Sequence, residues 1–477
     1  MRTKARRVGL ILASAVGLAV ALLVLLRAEL PVSADPGTIY VDDDTCPSVG
    51  SGTQLDPYCS IQDGLDAALE GDTVSVLAGT YDTTSETFPL TMTTPNVTLS
   101  GAGAPTTTID GEGTATIVQI DAQGATVQGF AIVSATYGIK STVGGFSVLD
   151  NAFSTETDHD IGTGVYVDVD ENDRVLSYTF DSVLIQGNQF YIGTDGVYLD
   201  LYLDFDASVA GLSSTIGDVG IFNNLFDMDS TDGVDIWLWI TDVSTGTVSV
   251  GDVDISSANV FSGGENGVHF DAWLQYFTDT VAFVGDLRIN QNTFREQSSR
   301  AVYIEEYYAG GYFDGDTTVT LGELQINGND ITSSAAEGID VDGYGPLSTL
   351  SDRASMTAGN VSIDGNDPID VGSHAVSFNN YQADNLENSA SMTLGELSIR
   401  GNHIDAGGDG IAITRSSIGF SAHDDSHINI GEVHIASNTV DAVAPIHILY
   451  DSVAESMYQR ATLTMGDTYV RDNALSS

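Results

Sequence analysis

The stretch GELSIRGNHI, from Gly395 to Ile404, decides the fold, because close variants of it recur along the chain. Each variant carries an asparagine after a short segment in which apolar and polar residues alternate. Ten such asparagines follow one another at intervals of 33 to 37 residues, with a mean near 36. A fixed period of this length is typical of proteins built from stacked repeats. The ten residues are Asn151, Asn188, Asn224, Asn259, Asn292, Asn329, Asn366, Asn402, Asn438 and Asn473.

Each unit contains three short alternating segments rich in β-branched residues, and no helical period separates them. The first segment carries the asparagine, the second resembles GVYLDLYL (196–203), and the third resembles TVTLG (318–322). Alternation of this kind indicates β-strands. We therefore predict an all-β parallel β-solenoid with three strands and about 36 residues per coil. The equivalent amides should stack at one corner as an asparagine ladder, hydrogen-bonded from coil to coil.

The first 34 residues have the form of a secretory signal. MRTKARR is basic, residues 8–26 are apolar, and the small residues VSA at 32–34 offer a cleavage site. The apolar run is long for a signal peptide, so an uncleaved membrane anchor is the alternative. We expect a secreted or cell-surface protein that contacts a membrane only through an uncleaved N-terminal segment.

An entry segment is expected over residues 35–71, followed by the β-helix over 72–477 with regular repeats from about 140. Cys46 and Cys59 are the only cysteines. An oxidising compartment favours a disulfide between them, and two unpaired thiols are the alternative.

A short helix is expected to cover the first coil at SIQDGLDAALEGD (60–72). Ser60 and Asp63 stand in a capping-box arrangement, and Gly71 is the expected stop. A helix there would hide an open sheet edge. Its predicted apolar face consists of Ile61, Leu65, Ala68 and Leu69.

The formal net charge is −52 at pH 7. A surface of this charge repels nucleic acid and anionic lipid, which excludes nucleic-acid binding. The acidic residues are interleaved with Val, Ile and Tyr, so they do not form a disordered acidic tail.

The entry segment resembles that of secreted proteins of the pectin lyase-like, right-handed parallel β-helix superfamily. The resemblance rests on TIYVD (38–42), SIQDGLDAALEGDTV (60–74) and GTY (79–81), followed by VTLSGAG (97–103) and TTIDG (107–111). It implies a right-handed helix of parallel sheets that often binds or processes polysaccharide. It implies no active site, because a close-set Arg or Lys pair and the NTD, GHG and RIK signatures are absent. Fold alone does not assign chemistry.

Stacking the second strands places aromatic residues in one outward column beside a column of carboxylates. Coils about 4.8 Å apart would turn six aromatics into a strip of roughly 24 Å, suited to a polysaccharide or cell-surface glycan. The alternative is that the rings stack on one another and stabilise the sheet face. The strip consists of Tyr202, Trp239, Trp273, Tyr307, Tyr344 and Tyr381, with His269 on the same face.

The function therefore has three candidates: a carbohydrate-binding or structural surface module, a polysaccharide hydrolase or lyase, and a self-associating stalk. An enzyme would use carboxylates of the second column. The distance between two carboxylates normally distinguishes retaining from inverting hydrolases, but a column of stacked carboxylates offers separations close to both values. Self-association is suggested by a last coil without a capping helix. A covering loop or an incomplete chain would explain that coil equally well. The catalytic candidates are Asp200, Asp271, Glu305 and Asp342.

No cofactor is required by the sequence, and calcium is the only ion considered. Asp218, Asp252 and Asp286 recur at the start of the asparagine-bearing segment, where a cation could bridge them. Solvated turn residues are the alternative.

Overall fold

The computed structural model describes residues 37–155, 159–171, 177–205, 211–309, 311–333, 336–345, 349–381, 385–416, 421–451 and 456–477. The predicted signal segment, residues 1–34, lies outside them. Within the described ranges, no helix has both the length and the apolar character needed to cross a membrane.

The described residues confirm the all-β parallel β-solenoid. Each strand pairs in parallel with the equivalent strand of the next coil, as Val253–Ser256 pairs with Leu287–Asn290. The asparagine-bearing segments form sheet 1, whose fourteen strands continue from the entry segment to the last coil. In order they are Thr38–Val41, Thr73–Val76, Thr98–Gly101, Thr126–Gln128, Phe146–Leu149, Val183–Gln186, Val219–Phe222, Val253–Ser256, Leu287–Asn290, Leu324–Gln325, Val361–Asp364, Leu397–Arg400, Val433–Ala436 and Thr468–Arg471.

Sheet 2 contains the strands that directly follow each asparagine and the predicted second strands. Its strands are Gly79–Tyr81, Leu90–Met92, Thr107–Ile120, Ala131–Ser141, Ala152–Phe153, Ile161–Glu171, Gln189–Ile192, Val197–Asp204, Leu225–Met228, Val234–Thr241, Val260–Gly263, Asn266–Gln275, Thr293–Arg295, Arg300–Ala309, Asp330–Ser333, Glu337–Val341, Ile369–Val371, Val376–Tyr381, His403–Ser416, Thr439–Asp451 and Ala474–Ser476.

The Thr/Ser-rich third segments form sheet 3, and a short additional sheet 4 precedes it in six coils. Sheet 3 consists of Ser177–Phe180, Ser213–Ile216, Thr247–Val250, Val281–Val284, Thr318–Leu321, Ser355–Ala358, Ser391–Leu394, His427–Ile430 and Thr462–Met465. Sheet 4 consists of Phe277–Thr278, Tyr312–Asp314, Thr349–Leu350, Asn385–Leu386, Ser421–Ala422 and Ser456–Met457.

The solenoid interior is filled by equivalent side chains that stack from coil to coil. The clearest case is a column of phenylalanines on the strands that follow each asparagine. Consecutive rings lie 4.7 to 4.8 Å apart and within 6° of parallel. Because one side chain repeats at one position, a single stack buries large apolar area along five coils. The column consists of Phe153, Phe190, Phe226, Phe261 and Phe294.

The asparagine side chains line the corner between sheets 1 and 2. Asn224 is typical: its Oδ1 accepts the backbone N–H of Asn188 at 2.9 Å, and its Nδ2 donates to Ile185 O at 2.9 Å. Its Nδ2 also donates to Oδ1 of Asn259 at 3.1 Å. From Asn151 to Asn438 these side chains are at most 2% exposed. Each amide therefore satisfies backbone groups that the turn would leave without partners.

The residue before each of these asparagines adopts a left-handed backbone conformation. Glycine takes this position in four coils, as at Gly401 with φ 67°, whereas other coils use a side-chain-bearing residue, as at Gln291 with φ 59°. A residue other than glycine costs about 1–2 kcal/mol in this conformation. The turn thus imposes the same backbone angle in every coil, whichever residue occupies it.

The N-terminal helix forms at Ile61–Ala67, after a short 3-10 helix at Asp43–Thr45. Ser60 is its N-cap, and its Oγ accepts the N–H of Asp63 at 3.1 Å, as predicted. The predicted end is wrong, because the helix stops at Ala67, before Gly71. The predicted apolar face is wrong at Leu69, which lies beyond the helix and is 61% exposed.

The predicted disulfide is confirmed. Cys46 and Cys59 are bonded, with their Cα atoms 4.9 Å apart. The bridge closes the loop that leads from the first strand, Thr38–Val41, into the helix.

Candidate functional site

The outward side chains of four successive sheet 2 strands surround a cleft. These strands are Ile161–Glu171, Val197–Asp204, Val234–Thr241 and Asn266–Gln275. Inward residues such as Leu199, Ile236 and Phe270 are buried in the core, so alternation turns the residues between them outward. The cleft has a volume of about 470 Å³ and is lined by Asp168, Asp170, Asp200, Tyr202, Trp237, Leu238, Trp239, Asp271 and Trp273.

The strand register brings the predicted aromatic and acidic residues together at this cleft. Tyr202 is in register with Trp239, and Trp239 with Trp273. Asp200 is in register with Trp237, which is in register with Asp271. Because Asp200 and Asp271 lie two coils apart, their backbones are separated by roughly 9–10 Å.

The two outermost tryptophans stack on one another. The ring centroids of Trp239 and Trp273 are 4.8 Å apart, and the ring planes differ by 18°. The Tyr202 ring lies 5.8 Å from that of Trp239 and is tilted by 49°. The stack covers one face of each indole, while Tyr202 and Trp239 form an open wedge at the edge of the cleft.

Polar atoms in the cleft are buried without hydrogen-bond partners. They include Oδ1 of Asp271 and Nε1 of Trp237 and of Trp239. A buried polar group without a partner costs about 1–3 kcal/mol, so native folds rarely leave several in one place. Among the described residues, three such atoms lie beside this one cleft.

Burial also changes the ionisation of the cleft carboxylates. Burial, followed by the charge of the nearby Glu305, raises the pKa of Asp271 to about 6. Burial, followed by the neighbouring Asp168 carboxylate, raises the pKa of Asp200 above its ordinary value. Near neutral pH the cleft therefore holds carboxylates whose charge is poorly compensated.

A second cluster of polar residues adjoins the cleft around His269. Its Nδ1 lies 2.9 Å from Oδ1 of Asp235 and 3.6 Å from Oδ2 of Asp232. Its Nε2 lies 3.1 Å from Oε2 of Glu305. One ring nitrogen of His269 and one carboxylate oxygen from each of Asp232 and Asp235 lie within 4.8 Å of one another, and all three residues are buried.

The neighbouring aromatic rings fix the position of His269. The imidazole stacks on Tyr303 at 5.0 Å, and the Trp237 ring meets it edge-on at 5.4 Å. Burial lowers the pKa of His269, but the adjacent Asp235 and Asp232 carboxylates outweigh this effect and raise it overall. Burial, followed by the Asp235 charge, raises the pKa of Asp232 to about 6.

The predicted aromatic strip is shorter in the structure than in the sequence analysis. Tyr307 is 1% exposed and its hydroxyl donates to Gly285 O at 2.8 Å. Tyr344 is 2% exposed and its hydroxyl donates to Gly359 O at 2.7 Å. Both rings lie in an interior column with Phe270, so their assignment to the outward strip is wrong.

The cause is one extra residue in the strand Arg300–Ala309. Phe270 is in register with Ile304, but Asp271 is in register with Glu306, so Glu305 has no opposite residue. A bulge of this kind reverses the facing of every residue that follows. Tyr381 is in register with Ser416, but its side chain lies outside the described part of the chain.

The four catalytic candidates are not brought to one place. Asp200 and Asp271 line the cleft, whereas Glu305 contacts His269 and is 42% exposed in its side chain. Asp342 accepts a hydrogen bond from Asn379 Nδ2 at 3.0 Å.

The three aspartates considered for calcium form a different contact pattern. Oδ1 of Asp218 accepts the N–H of Asp252, and Oδ1 of Asp252 accepts the N–H of Asp286, both at 2.9 Å. The Arg288 guanidinium contacts both Asp252 and Asp286. The Arg288 guanidinium therefore already supplies a positive charge between two of the three carboxylates.

The sequence analysis missed Asp232 and Asn266, which lie at the start of the second strands. The signal was present, because TDGV at 194–197, TDGV at 231–234 and ENGV at 265–268 are equivalent stretches of three successive coils. Asn266 donates its N–H and Nδ2 to Oδ1 of Asp232, both at 2.9 Å.

One family model matches part of the chain. Residues 47–266 match the family model described as "Protein of unknown function (DUF1565)". No curated protein matches the chain significantly.

Several solved structures are similar at low identity. The mannuronan C-5 epimerase AlgE6 A-module of Azotobacter vinelandii is 12% identical, with 89% of this chain and 99% of that chain covered and a TM-score of 0.35. The GH136 lacto-N-biosidase of Eubacterium ramulus is 12% identical, with coverages of 92% and 68% and a TM-score of 0.33. The PL6 family alginate lyase AlyGC is 8% identical, with coverages of 92% and 100% and a TM-score of 0.21. These scores are too low to carry an argument about function.

The described residues therefore form a parallel β-solenoid, and residues 47–266 of the chain match the family described as DUF1565.

Proposed function

We propose that this protein binds neutral oligosaccharides in the cleft of Tyr202, Trp237, Trp239 and Trp273. The observation that carries the proposal is the combination of aromatic rings and carboxylates at one cleft. Sugars present apolar C–H faces and hydroxyl groups to the same surface. Rings contact the former, whereas carboxylates accept hydrogen bonds from the latter.

The carboxylates favour a neutral ligand. Asp168, Asp170, Asp200 and Asp271 line the cleft, and the whole chain carries a formal charge of −52. A uronate polymer would meet strong repulsion at this surface unless cations screened it. Hydroxyl donors of a neutral sugar would instead form hydrogen bonds with the carboxylates that line the cleft.

The chain offers a site-specific optical test. It contains three tryptophans, and all three line the cleft, so tryptophan emission reports on this site alone. We expect neutral oligosaccharides to change the emission with a saturable dependence on concentration. Trp239→Phe and Asp271→Asn should weaken binding about tenfold or more, because each removes a contact worth about 1–2 kcal/mol.

The matched control is Tyr312→Phe, which alters an exposed aromatic residue of sheet 4 that does not line the cleft. Its affinity should equal that of the unmodified protein. A glycan array comparing neutral, uronate and amino sugars identifies the ligand class, and selective uronate binding would contradict the proposal. Release of reducing ends, abolished by Asp200→Asn, would add hydrolysis to binding.

We place this activity outside the cell, in keeping with the Cys46–Cys59 disulfide and the N-terminal signal pattern. N-terminal sequencing of exported protein tests this part of the proposal. A mature chain that begins at Asp35 indicates secretion, whereas retention of Met1 in the membrane fraction indicates an anchor. Recovery of the full chain in the cytoplasm alone would contradict it.

A further inference from the structure

The cluster beside the cleft combines one imidazole with two buried carboxylates. His269, Asp232 and Asp235 are each at most 8% exposed. Two carboxylates buried together need a compensating positive charge. Either a proton on His269 or a bound cation can supply it.

The hydrogen bonds of His269 define which ring nitrogen faces the carboxylates. Nε2 lies 3.1 Å from Oε2 of Glu305, which accepts its N–H. Nδ1 then faces Asp235 and Asp232. A histidine that binds metal through one nitrogen commonly donates the other N–H to a carboxylate, as His269 does here.

The contact between Nδ1 and Asp235 is close but does not meet hydrogen-bonding geometry. The two atoms are 2.9 Å apart, yet Oδ1 of Asp235 is buried without a hydrogen-bond partner. When Nε2 carries the proton of the neutral imidazole and donates it to Glu305, Nδ1 has no proton to donate to this oxygen. A nitrogen and an oxygen that lie close together without a hydrogen bond between them are the arrangement expected of two atoms that bind the same cation.

Asn266 contributes a second buried oxygen that has no hydrogen-bond partner among the described residues. It is 5% exposed, its Nδ2 donates to Oδ1 of Asp232 at 2.9 Å, and its own Oδ1 is buried without a partner. This hydrogen bond also orients Asp232, so that Oδ2 lies 3.6 Å from His269 Nδ1. The cluster thus contains unpartnered oxygens from two residues besides the imidazole nitrogen.

We infer that His269, Asp232 and Asp235 form a binding site for a divalent first-row cation of the zinc class, oriented by Glu305 and Asn266. The donor set favours Zn²⁺, because imidazole and carboxylate together suit it, whereas Ca²⁺ takes six to eight oxygen ligands. The cation would compensate the two carboxylates and occupy the space that the unpartnered oxygens face.

The test is calorimetric titration of the chelator-treated full protein with Zn²⁺, and with Ca²⁺ in parallel. We expect one Zn²⁺ site. Asp235→Asn and His269→Gln should lower its affinity by more than about 100-fold, and Glu305→Gln by about 10-fold or more. The matched control is His434→Gln, because His434 also lies between two carboxylates, Glu432 at 2.9 Å and Glu396 at 3.6 Å, but these are half-exposed.

A second measurement needs no variant. X-ray absorption of the protein with one equivalent of Zn²⁺ should show one imidazole and several oxygen ligands at about 2.0–2.2 Å. The inference is overturned if the spectrum lacks an imidazole, if Ca²⁺ binds as tightly as Zn²⁺, or if His434→Gln weakens binding as much as His269→Gln. Saccharide binding is measured separately, so its failure would leave this result unaffected.

Discussion

The asparagine corner and the tryptophan cleft both place polar groups in columns along the solenoid, yet their hydrogen bonding is opposite. At the corner, Asn224 makes coil-to-coil bonds to Asn188, Ile185 and Asn259. In the cleft, Asp271 and Trp239 each retain a buried atom without a partner. The same stacking geometry therefore satisfies the hydrogen bonds of a column in which one residue type repeats, and leaves some polar groups unsatisfied in a column whose residue types vary.

The largest expected effect comes from breaking the corner. Asn224→Ala removes the acceptor of Asn188 N–H and the donor to Ile185 O, and leaves both backbone groups buried. With about 1–3 kcal/mol for each of the two unsatisfied groups, we expect the unfolding free energy to fall by about 2–6 kcal/mol. Chemical denaturation measures this change.

The control for that prediction is Asn473→Ala, at the last coil, where the side chain is partly exposed. Water can replace its hydrogen bonds, so the loss should be about 1 kcal/mol. Equal losses at both positions would contradict the assignment of the corner as the main stabilising column.

A substitution in the cleft should increase the unfolding free energy, whereas the substitution at the corner decreases it. Asp271 has its pKa raised to about 6 by burial, so its contribution to stability is complete below pH 4 and is lost as the pH rises through 6. Asp271→Asn removes the buried charge and should raise the unfolding free energy at pH 8 by about 1–3 kcal/mol.

The difference between this variant and the unmodified protein should vanish near pH 4, where both side chains are neutral. Denaturant unfolding at pH 4 and pH 8 measures it. Asp370→Asn, on an exposed strand position, is the control and should change little at either pH. A loss of stability in Asp271→Asn at pH 8 would indicate that the carboxylate has a structural partner.

The smallest expected effect concerns the left-handed residue before each asparagine. Gly401 has φ 67° and open space around its missing Cβ, so Gly401→Ala adds backbone strain without a clash. We expect the unfolding free energy of this variant to fall by about 1 kcal/mol. Gln291→Gly, at the equivalent position with φ 59°, should increase the unfolding free energy by a similar amount. Thermal unfolding of the two variants tests whether one turn geometry governs all coils.

Much of this architecture could be predicted from the sequence, because a repeat converts spacing into position. The interval between asparagines placed Trp239 beside Trp273, and the strand register agrees. The prediction was wrong at Tyr307 and Tyr344, because the single extra residue at Glu305 reverses the strand faces beyond it. Period alone does not reveal such a bulge, since the length of the coil changes by only one residue.

The cluster around His269 was harder to predict for a different reason. His269 and Asp235 share an outward column, but Asp232 lies in the turn before its strand and Asn266 is the first residue of the next one. Their side chains meet only because that turn follows the same path in successive coils, and the hydrogen bonds between Asn266 and Asp232 depend on it. Strand alternation carries no information about turn side chains.

The most direct test of the central claim is a tryptophan fluorescence titration of the full protein with neutral oligosaccharides. All three tryptophans line the cleft, so the signal has one structural origin. The account predicts a saturable change in emission that Trp239→Phe and Asp271→Asn weaken and Tyr312→Phe leaves intact. The account is contradicted if a second method detects saccharide binding while the tryptophan emission stays unchanged.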